Sequence, residues 1–314
     1  MPVDGKAVRA GVLESLERIN LGPKRSKYGV TMWPLLGPDL PNQKYELIDN
    51  AIVDGRCEIY EADQASVDHV VVANRSAEPI FTLHGQLLRG AKQNRSINLT
   101  AMLPPESETT ILVACVEQGR WNTGYFFEDA KFMQSAAGRS EKLGSVLSDL
   151  ERSGEGRANQ SQVWAQQAVK ERRLKYESPT HDEIEIQERG LGVSELEVFD
   201  LLPAIGDQVG AIFCANNCWT VEIFDKQSTY LSYHKSLLRS LAVEASEANM
   251  QGINLHDPDP RSLLDTMWKT AWRAKGVSGE GELIGGRHSG SKHCALLWQN
   301  GCVSVSSSGF LSQI

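Results

Sequence analysis

The sequence predicts an α+β protein: an N-terminal antiparallel β domain, sandwich-like or a partly closed barrel, then a helical connection, then a C-terminal α+β unit. Three observations carry this. Between Tyr28 and Val116, short runs rich in β-branched and aromatic residues alternate with turn residues. From Glu128 to about Arg189 the spacing turns helical and the charge density rises. From Leu191 a hairpin signal, two helical stripes and three strand-like runs follow. The expected boundaries are 1–127 for the β-rich domain with its short N-terminal helix, 128–190 for the charged helical connection and linker, and 191–314 for the α+β domain.

Val8, Val12, Leu16 and Ile19 recur at helical spacing and predict a short amphipathic helix that stops before Gly22-Pro23. Strands are expected at Tyr28–Leu36, Cys57–Ala62, His69–Ala73, Ile80–Leu83, Ile97–Leu103 and Thr110–Val116, with a short helix or turn at Tyr45–Ile52. Asn159–Tyr176 reads as one helix, Ser153–Gly156 as a loop, and the polar, acidic stretch Ser178–Gly190 as a linker or mobile loop. Val209–Ala215 and Cys218–Phe224 form a hairpin around Asn216-Asn217. Helices are expected over Lys226–Ala248 and Ser262–Lys275, and strands at Glu282–Arg287, Cys294–Gln299 and Cys302–Ser306, with Asn300-Gly301 as a tight turn.

The chain has 314 residues, enough for two domains or one large one with an insertion. A formal net charge of −8 argues against general nucleic-acid binding, which needs a basic surface. No apolar run approaches the roughly 20 residues that span a bilayer, so no membrane partner is expected. The first 20 residues carry scattered charges and no hydrophobic region of a signal peptide. A cytoplasmic location follows, with Cys57, Cys115, Cys214, Cys218, Cys294 and Cys302 reduced.

The stretch Pro79 to Trp121 concentrates chemistry at turns. Gly85-Gln86 and Gly90 to Arg95 form one polar turn region, and Glu117 to Trp121 the other. Lys92, Gln93, Asn94 and Arg95 put two cations and two amides within a few residues, a set that suits an anionic or hydrogen-bond-rich ligand. The bland alternative is a hairpin whose polar residues cap backbone groups. Glu117 is the candidate acid/base, Arg120 its charge partner, and Trp121 a stacking surface. Here the alternative is an internal Glu–Arg ion pair beside a core tryptophan.

Other motifs carry less. The run lacks the spacing of a phosphate-binding P-loop, and no dinucleotide fingerprint follows a strand, so the residues specify no cofactor. Cys115 sits in an apolar run and reads as an inert core thiol. Cys214 and Cys218 have no second cysteine pair, and His288, His293 and Cys294 lie in a glycine- and serine-containing loop; no metal is expected. His234 reads as a satisfied interior histidine.

Tyr28-Gly29-Val30, Trp33-Pro34-Leu35, Gly85-Gln86, Gly90, Gln93-Asn94-Arg95, Pro104-Pro105 and Cys115 to Trp121 together resemble a prokaryotic family. It is the ARG and rhodanese-phosphatase-superfamily-associated protein family, ARG standing for ADP-ribosylglycohydrolase. Val209-Gly210 to Phe224-Asp225, and the helix with Arg239-Ser240, resemble its C-terminal half. The resemblance implies ADP-ribose, NAD or phosphorylated-nucleotide metabolism in stress or defence settings. It also implies a glutamate where this chain has Gln86, and an amide cannot serve as acid or base.

Three functional expectations stand. In the first, the protein binds an anionic nucleotide- or ADP-ribose-like small molecule, with Lys92, Arg95 and Arg120 holding charge and Gln86, Gln93, Asn94 and Trp121 supplying contacts. In the second, it hydrolyses such a ligand with Glu117 as general base. In the third, it is an interaction or structural subunit, a homo-oligomer or the partner of another protein. A groove between the two halves is the default ligand site.

Overall fold

A closed six-stranded barrel lies against a nine-stranded antiparallel sheet, and helices fill the space between them and cover the outer face of the sheet. The computed structural model describes residues 5–41, 43–62, 67–121, 123–191, 200, 202–251, 257–299 and 301–311. The expected turn at Asn300 and the burial of Val8 lie outside what is described.

Helix α1 (Gly5–Glu17) leads into β1 (Asn20–Leu21), β2 (Arg25–Lys27) and β3 (Val30–Leu36). Next come β4 (Glu46–Leu47), α2 (Ile48–Val53), β5 (Cys57–Tyr60), β6 (His69–Asn74), β7 (Ile80–Thr82), β8 (Gln86–Gly90), β9 (Arg95–Ile97), β10 (Ala101–Leu103), β11 (Ser107–Cys115) and β12 (Phe126–Met133). The barrel closes in the order β11-β6-β5-β12-β8-β9. Its core is mostly apolar, with Ile59, Val70, Val72, Leu88, Ile97, Val113 and Phe127 all buried. A small sheet, β10-β7-β4, flanks it.

Three helices follow: α3 (Ala136–Arg152), α4 (Gln160–Leu174) and α5 (Glu183–Arg189). The hairpin β13 (Gln208–Ala215) and β14 (Cys218–Phe224) turns through Asn216 at φ 54°, a conformation asparagine tolerates. The chain ends with α6 (Gln227–Gln251), α7 (Pro260–Lys269), β15 (Arg273–Ser278), β16 (Gly281–His288), β17 (Ser291–Trp298) and β18 (Gly301–Phe310). The large sheet runs β1-β3-β13-β14-β18-β17-β16-β15, with β2 also on β3. Its central strands β13 and β14 are buried along their whole length, as continuous apolar runs require. One face packs on α6 through Tyr230, Tyr233, Leu237 and Leu241; the other packs on α1 and α7.

The α+β class and the N-terminal barrel agree with the sequence. Strand β3 pairs with β13 from Val30↔Ala215 to Leu36↔Gln208, so an N-terminal strand is built into the sheet of the C-terminal unit.

Several elements differ from the expectation. Gln86–Gly90 is a strand, so the polar turn is only residues 91–94. Ile97–Leu103 divides into two strands in different sheets. Glu128–Met133, read as the start of a helical region, belongs to a barrel strand, Phe126–Met133, whose partners β5 and β8 lie far back in the chain. Ser178–Gly190, read as a linker or loop, contains α5; Asp182 caps it by accepting from the N–H groups of Ile184 and Glu185, while Ile184 and Ile186 are buried. Seven residues cannot hold a helix alone, and tertiary packing supplies what local propensity lacks. The helix expected to reach Lys275 stops at Lys269, where Thr270 turns extended and β15 begins at the edge of the sheet.

Candidate functional site

The turns singled out in the sequence meet at one end of the barrel, where β8, β9, β11 and the loop after Cys115 converge. Glu117 is buried, and its two oxygens accept four hydrogen bonds. Oε1 takes Arg120 Nε at 2.8 Å and Thr180 Oγ1 at 2.9 Å. Oε2 takes the Asn94 N–H at 3.0 Å and Arg120 Nη2 at 2.7 Å. Arg120 also donates to the carbonyls of Ala91 and Gly90 and to Asn94 Oδ1. Asn94 Oδ1 accepts from the Gly90 N–H, and its Nδ2 donates to Asp182 Oδ1 at 3.0 Å. The Glu117–Arg120 pair therefore braces the β8–β9 turn and holds Thr180, while Asn94 ties that turn to the cap of α5.

Arg95 points into the barrel and is fully buried. Its Nη1 donates to Gln93 Oε1 at 3.2 Å and to Cys115 Sγ at 2.9 Å, and its Nη2 lies 3.5 Å from Glu61 Oε1. Burial pushes the Cys115 thiol up to about 11, against the pull of the Arg95 guanidinium. Lys92 and Trp121 sit on the outside, with Nζ 5.1 Å from the ring centroid. Thus Lys92, Gln93, Asn94, Arg95, Glu117, Arg120 and Trp121 share one end of the barrel, but Arg95 is closed to solvent and Arg120 is engaged by the turn. Gln86 lies at the opposite end of β8.

That opposite end opens on a cleft of about 950 Å3 between α2, β12 and α6, large enough for a nucleotide-sized ligand. Residues Ser228, Ser232, Lys235 and Arg239 recur along α6 at helical spacing and line it. Arg56, Lys131 and Lys226 bring further cations from the end of α2, from β12 and from the start of α6. Arg56 is paired with Glu46 at 3.0 Å and Asp54 at 2.8 Å, Lys226 lies 3.7 Å from the Tyr45 ring centroid, and Arg239 stacks 4.2 Å from that of Phe132.

Four carboxyls line the same cleft: Glu46 and Asp54, which pair with Arg56, and Asp49 and Asp129. Asp49 comes from the first turn of α2. Asp129 comes from an irregularity in β12, where pairing with β8 jumps from Asp129↔Leu88 to Met133↔Gln86. Lys131, inside that irregularity, has φ 55°, and its N–H donates to Asp129 Oδ1 at 2.9 Å. Bulges of this kind re-aim side chains beside functional sites. Asp129 acts on Asp49 both as a neighbouring charge and as a hydrogen-bonding group, and Gln86 Nε2 donates to Asp49 Oδ1. Burial, reinforced by Asp129 alongside, pushes Asp49 up to about 8; burial also raises Asp129.

Nearby, Tyr45 donates to Asp225 Oδ1 at 2.5 Å, and burial lifts Asp225 to about 6. His234 is held by the Tyr230 hydroxyl at 2.7 Å and the Leu202 carbonyl at 2.9 Å. His293 lies between the Ser291 and Ser307 hydroxyls. Among the described residues, no three His, Cys, Asp or Glu side chains gather as a metal site.

Sequence reasoning missed Asp49, Asp129, Lys131 and Lys235. No short motif joins them, because they come from three segments far apart in the chain. Gln86 and the Arg239-Ser240 pair were the signals within reach.

The chain belongs to the family described as the ARG and Rhodanese-Phosphatase-superfamily-associated Protein domain, whose profile matches residues 18–308. The match takes in the barrel, the connecting helices and almost all of the large sheet. No curated protein and no solved structure matches the chain.

Proposed function

We propose that the protein binds an anionic, nucleotide- or ADP-ribose-like small molecule in the cleft between α2, β12 and α6. The observation that carries this reading is the lining itself: Lys131, Lys235 and Arg239 converge on a cavity of nucleotide size from two different elements. Hydroxyls of Ser228, Thr229, Ser232 and Ser236 add directional partners. A cytoplasmic location is in keeping with six buried, unpaired cysteines.

Thermal unfolding with ADP-ribose, NAD, AMP, ATP and pyrophosphate tests the proposal. Binding to the native state alone adds about 2.7 kcal/mol at a hundredfold excess over Kd. A shift with one ligand class is expected, lost in Lys131→Ala/Lys235→Ala and retained in Arg120→Ala once each variant is compared with its own ligand-free form. A shift lost in Arg120→Ala and kept in the double variant would move the site to the barrel end. A flat panel would sink the binding reading.

A protein-contact role has one observation in its favour. Trp121, Tyr125 and Phe126 are exposed near the same end of the barrel, with Tyr125 stacked on Tyr60 at 5.5 Å. If that face mediates self-association, Trp121→Ser/Phe126→Ser changes the mass measured in solution; an unchanged mass removes that version of the reading.

A further inference from the structure

Two aspartates from separate elements, Asp49 on α2 and Asp129 on β12, meet on the wall of a cleft that also carries Lys131, Lys235 and Arg239. Gln86 is buried, and its Oε1 faces the Leu83 N–H and the Tyr233 hydroxyl, each at 3.4 Å. That orientation leaves its amide N–H for Asp49 Oδ1. The Lys131 N–H holds Asp129 Oδ1 at 2.9 Å. Asp129 Oδ2 is shut off from solvent and receives no N–H or O–H from the protein. Two carboxyls in contact cannot both be ionised at low cost, whereas one proton between them satisfies the orphaned oxygen.

Resting on the reading of the cleft as an anion site, we infer that Asp49 and Asp129 share one proton and form the acid–base pair of a phosphoanhydride hydrolase. The charged and titratable groups around the pair are Lys131 on β12, Lys226, Tyr233, Lys235 and Arg239 on or beside α6, Glu46 on β4 with Tyr45 before it, and Arg56 and Asp54 at the end of α2. Burial raises both carboxyls, which keeps one proton in the pair near neutral pH.

The step balances without a co-reactant other than water. Water adds to phosphorus, and the ionised carboxylate takes the water's proton. The protonated partner gives its proton to the bridging oxygen as the P–O bond breaks. The pair ends with one proton, as it began. Lys131, Lys235 and Arg239 offset charge on the phosphoryl oxygens. Glu117 takes no part, because its oxygens already accept four donors at the other end of the barrel.

The test uses the full chain and ADP-ribose. Thermal shift reads binding, and chromatography reads AMP and ribose 5-phosphate, with EDTA present and absent. The expected result is a shift together with AMP formation that survives EDTA and falls by about 100-fold or more in Asp129→Asn and in Asp49→Asn. The shift should persist in both variants, which also reports that they fold. Carbon NMR of aspartate-labelled wild type should show a carboxyl titrating far above the ordinary range, with that signal altered in Asp129→Asn. A shift without AMP formation overturns the hydrolase and leaves the binding reading intact. AMP formation abolished by EDTA and restored by magnesium overturns the shared proton, the pair then being cation ligands. Absence of any shift removes both readings together.

Discussion

Glu117 shows how a residue type can suggest one chemistry while its neighbours assign it another. A glutamate beside an arginine at a strand end is compatible with acid–base work, but four donors converge on its carboxylate and Arg120 also braces three acceptors in the β8–β9 turn. Glu117→Gln should therefore cost stability, about 2 kcal/mol in urea unfolding with an unchanged slope. A loss below about 0.5 kcal/mol would show that the pair is not a brace. The opposite holds for Asp49. Its folded pKa lies above the unfolded one, so the native state binds the extra proton between about pH 4 and about 8. Its contribution to stability is fully present below that window and lost as pH rises through it. Stability should fall across this range in the wild type and fall less in Asp129→Asn, where the mutual repulsion is gone. Equal slopes would contradict the coupling. Polar residues at the Gly90 turn could be read directly, but their partners could not: Asn94 meets Asp182, 88 positions further along.

At the scale of elements, β8 and α5 show how local structure depends on distant partners. Gly90 has φ 119°, and a Cβ there would lie 2.8 Å from the Phe126 carbonyl oxygen. Gly90→Ala should cost about 2 kcal/mol. An unchanged denaturation midpoint would mean that the turn relaxes freely. Asp182 caps α5 and accepts from Asn94, so Asp182→Ala should cost about 1 kcal/mol and speed amide exchange over 183–189 before the rest of the chain. Uniform exchange across the molecule would argue against this local role. The same dependence explains which elements were legible. The β13–β14 hairpin and α6 declare themselves through apolar runs and a two-residue turn. Strand β12 does not: its FFEDAKFM pattern is broken by the irregularity that presents Asp129, so the feature that builds the cleft also blurs the period of two.

For the whole molecule, the decisive contact is the pairing of β3 with β13, which builds an N-terminal strand into the sheet of the C-terminal unit. All but the last of the seven β3 residues are buried. A fragment of residues 1–135 keeps every barrel strand but would leave that apolar strand without its partner. It should bind a hydrophobic dye and lack the near-ultraviolet signal of tight packing, whereas the full chain should unfold cooperatively. A fragment with native-like packing would show that the barrel folds without the large sheet. The sequence alone determined the α+β class, the barrel's strands in outline, the C-terminal hairpin and helix, and the family, because periodicity, turn chemistry and short runs are local properties. The tertiary structure decided which polar residues meet. It closed Arg95 inside the barrel, turned Glu117 into a brace, and brought Gln86, Asp49 and Asp129 together beside the cations of α6. Strand pairing and helix docking create those contacts between positions far apart in the chain, and no local pattern records them.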